Sequence, residues 1–377
     1  MSCFGCPVLD RVAAIAAGDD HNLALTDDGR VWAWGANGEV QLGVAESPSC
    51  GPSTNPIGPC RPQPLPVPGL EDVAAIAAGT DHNLALDRAG VVWGWGENRY
   101  GQAGSDVPPR NCDRSEDPCR PAPARVPGLG RITAIAAGPA HSVALDEDGA
   151  VWAWGVTPQA GPDSGEMCGE ANLFYPCRTI PARVPDLPAI VQVAAHWNHT
   201  LALDRDGVVW AWGGNESAQL GNGRLTETGA PVRIEIPGGV EMIDAGDEHS
   251  LALGRDGSVW MWGALPGLPK GKPCGFELRE PACAYTPIPA LPPGSASALI
   301  PGGSTAIVAT DGSLHGWSSD GEFGPGVPQS LGQPLVPASS LPDDLVALER
   351  SAQHSLALTA RGSVLAQGWN GLGQLGR

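Results

Sequence analysis

The stretch His21–Gly35 (HNLALTDDGRVWAWG) constrains this chain more than any other feature, because the chain keeps repeating it. Close copies start at His82, His141, His199 and His249, and two worn copies start at Ser304 and His354, so that seven copies follow one another at intervals of 50 to 61 residues. Self-similarity at such a period is the mark of a solenoid, propeller or array, in which each unit buries its apolar face against the next. The seven copies make the whole chain, residues 1–377, one domain despite its length.

One repeat reads as strands. In the first, the apolar run Val12–Ala17 ends at Gly18, His21–Thr26 is a second run, Asp27-Asp28-Gly29 is a turn, and Arg30–Gly35 is a third run. Runs of five or six residues split by Gly and Asp are strands of an antiparallel meander. Gln63–Leu70 makes a fourth. Its prolines lack the ladder N–H and belong at a sheet edge. The unit is thus a four-stranded blade, with strand a innermost, then b, c and d, and blades arranged radially make a β-propeller. Strand a is small and apolar (VAAIAAG at Val12 and Val73, ITAIAAG at Ile132), as a crowded centre requires. Trp32 and Trp34 on strand c point to one side. They are read as packing between blades, each fully buried ring contributing roughly 2–3 kcal/mol.

The ends suggest how the ring closes. The last copy stops at Gly371–Arg377, after strand c, while Cys6–Asp10 (CPVLD) precedes the first strand a where other repeats carry PVPGL. The N-terminal strand is therefore expected to complete the last blade.

Trp32-Ala33-Trp34-Gly35 with Gln41-Leu42-Gly43, Gln219-Leu220-Gly221, Glu97–Gln102 and Gln374-Leu375-Gly376, each with a GxxHxLAL segment upstream, resembles the regulator-of-chromosome-condensation repeat family. The resemblance covers nearly the whole chain. It implies an all-β, seven-bladed propeller, and with the cysteines it points to a secreted member of bacterial type. It says little of function, because function lives in sites placed on folds.

The formal net charge is −19 and the only lysines are Lys270 and Lys272. Nucleic-acid affinity comes largely from Lys and Arg on phosphates, so nucleic acid is not an expected partner. Eight of the ten cysteines fall in local pairs, Cys50/Cys60, Cys112/Cys119, Cys168/Cys177 and Cys274/Cys283, each inside a c–d connection. The reading is one disulfide per long loop, worth roughly 2–3 kcal/mol for loops this short. Persistent disulfides imply an oxidising compartment, hence a secreted, periplasmic or cell-surface protein whose leader is absent from this sequence. No apolar run approaches the ~20 residues of a membrane helix, and a monomer is expected.

No nucleophile elbow, phosphate-binding glycine loop or HExxH occurs, so no catalytic residue and no cofactor is assigned. Six of the eight histidines share one repeat position, which makes them structural before anything else. A shared metal is not expected there, since ligands must lie about 2 Å from one point and the repeats spread these rings around a channel. Asp19, Asp20, Asp81, Asp247 and Glu248 stand just before repeat histidines, in a–b turns that open on the same face as the c–d loops. In the fourth repeat, His196-Trp197-Asn198-His199-Thr200 puts Trp197 there instead. That is similar to a motif of plant ultraviolet photoreceptors in the same family, but the other repeats lack the tryptophan. These six residues are the candidate partner-binding set, with Trp197 as an aromatic anchor and the carboxylates favouring a basic surface. The expected function is an extracytoplasmic protein-binding scaffold. Two other readings are an enzyme acting on polysaccharide or peptidoglycan through two carboxylates of the acidic face, and a guanine-nucleotide exchange factor for a small GTPase.

Overall fold

A computed structural model describes the chain except residues 1–8, 10, 46, 52–56, 105–109, 112–117, 163, 171–172, 266–271, 275–281, 301–305, 317–335, 338–341, 343, 352 and 377. It is an all-β propeller. In the first blade β1 (Val12–Ala17), β2 (His21–Thr26), β3 (Val31–Ala36), β4 (Ser49–Cys50) and β5 (Gly58–Pro66) lie in the order β1-β2-β3-β5-β4. All pairs are antiparallel.

The four-stranded meander read from the sequence is present, but in four blades it is not the whole sheet. The second, third and fifth blades also carry a strand beyond d, formed by residues Arg110–Asn111, Glu166–Glu170 and Lys272–Pro273. The proline-rich strand is therefore not the outer edge of these blades. The extra strand arises because the c–d connection folds back along strand d. The fourth blade, with its short connection, has four strands and no fifth.

The expected count of seven four-stranded blades is corrected. Among the described residues six sheets carry four strands or more, whereas the seventh repeat carries three, Leu345–Arg350, His354–Thr359 and Val364–Gly368. Of its expected fourth strand, Cys6–Asp10, all but Leu9 lies outside the described residues, as does Ser304 of the sixth repeat. Leu9 itself packs with Val12, Leu356, Leu358 and Val364, and its carbonyl accepts the Val364 N–H at 3.3 Å.

The core runs between blades. Trp34, Trp95, Trp154, Trp212 and Trp262 are wholly buried, as expected for the second tryptophan of each pair. The first members are half-buried, and several tie to their own blade: Trp93, Trp152 and Trp210 donate Nε1–H to Asp87, Asp146 and Asp204 at 2.9–3.1 Å. Because strands a, b and c alternate in direction, the described a–b turns and the starts of the c–d connections share one face. The other carries tight turns such as the one closed by Gly29 N–H to the Thr26 carbonyl at 2.9 Å.

Candidate functional site

The repeat histidines prove to be joints between blades. Nε2 of all but His249 meets the second residue of strand b in the next blade: His21 to Asn83 at 2.7 Å, His82 to Ser142 at 2.9 Å, His141 to Thr200 at 3.1 Å and His199 to Ser250 at 2.8 Å. His354 reaches Asn22 at 2.6 Å, so the seventh repeat holds the first by the same bond. The same strand-b residues donate to the backbone carbonyl of the QLG glutamine, Asn83 to Gln41 at 2.9 Å and Ser142 to Gln102 at 2.8 Å. The buried tryptophans share those acceptors, Trp95 to Gln41 at 3.0 Å and Trp34 to Gln374 at 2.9 Å. Burial pushes the histidines far below the ordinary imidazole range, to about 3 for His82, His141 and His199 and to about 4 for His21, His249 and His354. They stay neutral.

The joint also dictates the glycine ending strand a. A Cβ on Gly79 would lie 2.3 Å from the His82 ring and 2.4 Å from the Gly138 carbonyl oxygen. In the fourth blade this position is His196, and the backbone changes to admit it. Strand a runs one residue longer, Ile190–His196, with His196 opposite His199. The turn is then two residues, and Trp197 takes φ 40°, in the left-handed region that non-glycine residues seldom adopt. The ring of Trp197 is left 41% exposed on the loop-bearing face.

The predicted carboxylates do gather in the a–b turns, but they are not equivalent. Asp20 accepts the Gln374 side-chain amide at 3.0 Å, and Asp81 accepts that of Gln41 at 2.7 Å. Both therefore also tie neighbouring blades together. Burial, with Glu97 and Glu39 beside it, pushes Asp81 up to about 8. Asp19 is raised by burial and by Asp20 and Asp247. Asp247 and Glu248 are exposed. Asp247 pairs with His196, Nδ1 to Oδ1 at 3.2 Å, across the gap between the fourth and fifth blades.

Three titratable groups of this region were not among the residues singled out from the sequence. Asp244 and Glu349 occupy the strand-a slot that is Ala16 in the first repeat and Ala77 in the second. Aligning the repeats shows a carboxylate in a small apolar slot, and that was the available signal. Burial pushes Glu349 up to about 8, with Asp244 adding to it. The third group is His196: burial alone would lower it, but its bond to Asp247 and the charges of Asp247, Glu349 and Asp244 raise it above the ordinary value. The inner rim of this face thus holds carboxylates from three or more blades around one protonatable imidazole.

Around that rim stand the stapled loops. Cys50–Cys60, Cys168–Cys177 and Cys274–Cys283 are disulfides, with Cα atoms 5.7, 5.7 and 5.2 Å apart. Cys119 is disulfide-bonded as well, and its expected partner Cys112 lies outside the described residues. The staple of the third blade joins Glu166–Glu170 to Leu173–Arg183, exposing Met167 and Tyr175. Tyr175 packs edge-on against Tyr100 of the second blade, centroids 5.8 Å apart. Among the described residues no three His, Cys, Asp or Glu side chains are placed to share a metal ion, and no helix is long and apolar enough to cross a membrane.

This construction, a propeller in which most blades are cross-tied by a strand-b His, a strand-c Trp and the backbone carbonyl of a Gln beyond strand c, defines a class of repeat protein. Residues 5–237 match the RCC1-like domain and residues 243–264 match the regulator of chromosome condensation (RCC1) repeat; the chain belongs to the RCC1-like family. It is 31% identical over 225 residues to protein pim1 of Schizosaccharomyces pombe, covering 57% of this chain and 39% of that one. It is also 31% identical over 231 residues to the ultraviolet-B receptor UVR8 of Arabidopsis thaliana, covering 60% and 47%. The matches thus span less than half the length of either relative. Among solved structures, yeast RCC1 (Prp20) bound to Kap60 superposes with a TM-score of 0.67 at 22% identity, over 100% of this chain and 86% of that one.

Proposed function

We propose that this protein is a monomeric binding scaffold that captures a protein partner on its loop-bearing face, with Asp19, Asp247 and Glu248 meeting a basic surface and Trp197 anchoring it. One observation carries the reading. Exposed aromatic surface, stapled loops and an inner rim of carboxylates from several blades lie on one face, while the other carries short charged turns with no such rim, aromatic or staple among the described residues. Loops held on a rigid frame are where recognition residues are found, and an exposed tryptophan beside carboxylates suits a partly cationic partner. Asp20 and Asp81 belong to the same rim, but their bonds to Gln374 and Gln41 make them supports more than contacts.

The disulfides favour an oxidising, extracytoplasmic compartment. The bond from Val364 to Leu9 and the joint from His354 to Asn22 support a seventh blade completed by the N-terminal strand, which closes the ring into a rigid platform.

The test compares variants on a partner recovered by cross-linking at the surface of the producing cell. Replacing Asp19, Asp247 and Glu248 by their amides is expected to weaken binding and flatten its salt dependence. Trp197→Ala is expected to weaken it independently of salt. If both leave affinity unchanged while Asp27→Asn/Asp28→Asn on the opposite face weakens it, the working face is the other one.

A further inference from the structure

His196 is the one histidine among the described residues that is set against a carboxylate. It reaches Asp247 where the fourth blade extends strand a by a residue, whereas the other described a–b turns begin at glycine or, in the seventh repeat, at Ser351. The pair sits on the binding face defined above: Trp197 is the next residue and Asp247 is one of the carboxylates assigned to the partner.

We propose that His196 is a built-in competitor for that face: while protonated it occupies Asp247 as a partner's cation would, and on losing its proton it releases Asp247 to the partner. The proposal rests on the docking reading and adds its regulation. Formation of the pair offsets one negative charge of the rim by setting an imidazolium Nδ1 3.2 Å from one Asp247 oxygen. A basic segment must displace an imidazolium below the midpoint of His196, and meets a free carboxylate above it. Affinity should therefore rise with pH.

The groups around His196 fix where this happens. Asp247 and Asp244 of the fifth blade hold its proton on, against the cost of burial, and Glu349 of the seventh adds to this once it ionises. His141, His199 and His249 are neutral through this range and add no competing charge. Asp19 of the first blade and Arg350 of the seventh act on the pair from the other side, His196 lowering Asp19 and Arg350 lowering Asp247. Glu349 and Asp81 also ionise in mildly alkaline solution and add negative charge of their own. The part due to His196 must therefore be isolated by substitution, not read from the pH trend alone.

Two measurements on the full chain do this. In a proton-NMR titration of the imidazole resonances, the signal missing from His196→Gln is expected to titrate above 6.5, and to move lower in Asp247→Asn. An unchanged midpoint in Asp247→Asn would overturn the proposal. The second measurement is the binding of fluorescein-labelled hexa-arginine, whose own charge is constant, at pH 6 and pH 8.5. In the unmodified protein affinity is expected to rise with pH. In His196→Gln it is expected to be higher at pH 6 by up to about fivefold, the range of a partly exposed ion pair, and correspondingly less pH-dependent. An identical pH response in both proteins overturns the competitor and leaves the docking face standing. Absence of hexa-arginine binding in either protein at either pH overturns the docking reading, and the competitor with it.

Discussion

The turns at residues 79–82 and 196–199 occupy the same place in two blades and have been put to opposite uses. Both end in a histidine that reaches the next blade, His82 to Ser142 and His199 to Ser250. In the first turn, Gly79 and Asp81 serve the joint: Gly79 clears space for the ring, and Asp81 takes the amide of Gln41. In the second, His196, Trp197 and Asn198 stand where Gly79, Thr80 and Asp81 would be, and the joint survives. Binding the blades therefore needs the last histidine and room for it, and the residues before it are free to change wherever the backbone can lengthen. His196 and His199, three residues apart, show the result: one is raised and charged by a carboxylate, the other is buried and neutral near 3.

The comparison can be broken most severely with acid. The six repeat histidines have folded values of about 3 to 4 against 6.5 when unfolded. A depressed value gives stability that is present above 6.5 and lost as pH falls toward the folded value. The carboxyls Asp81 and Glu349 have the opposite sign: raised to about 8, they contribute stability at low pH that is lost as pH rises through 8. His196, also raised, loses its contribution on the alkaline side. Denaturant melts across pH are therefore expected to show a maximum near 6.5, a steep acid limb and a shallow alkaline limb that Asp81→Asn flattens.

Next in size is Gly79→Ala. Its new Cβ would sit inside contact distance of the His82 ring and the Gly138 carbonyl, and overpacking of this kind costs about 2–3 kcal/mol in chemical denaturation. His196→Gly at the equivalent site is expected to cost under about 1 kcal/mol. Equal costs would mean that the two turns are not equivalent. Trp95→Phe removes one donor from the Gln41 carbonyl, which keeps the Asn83 amide, and is expected to cost about 1 kcal/mol. Trp197→Ala, at an exposed side chain, is expected to change stability by no more than about 0.5 kcal/mol while weakening partner binding.

The meander, the local cysteine pairs and the packing role of the tryptophans were legible because each depends on spacing along the chain, which recurs. The fifth strand was not. Ser49–Cys50 and Lys272–Pro273 are two residues long and have no apolar alternation, so only their pairing with strand d marks them as strands. Nor was the division of labour among the acidic turns. Asp20 and Asp247 look alike in sequence, yet one faces Gln374 from the preceding repeat and the other faces a histidine that no other repeat supplies at its position. Such differences arise between blades, where residues 50 or more positions apart meet.

The central claim, that one face of the ring is the working face, is tested most directly by the hydrogen-exchange footprint of the cross-linked partner. Protection is expected at residues 19–20, 196–198 and 247–248 and in the stapled arm around Met167. Protection confined to the opposite turns, residues 26–30 and 87–91, with the acidic rim exchanging as in the free protein, would contradict it.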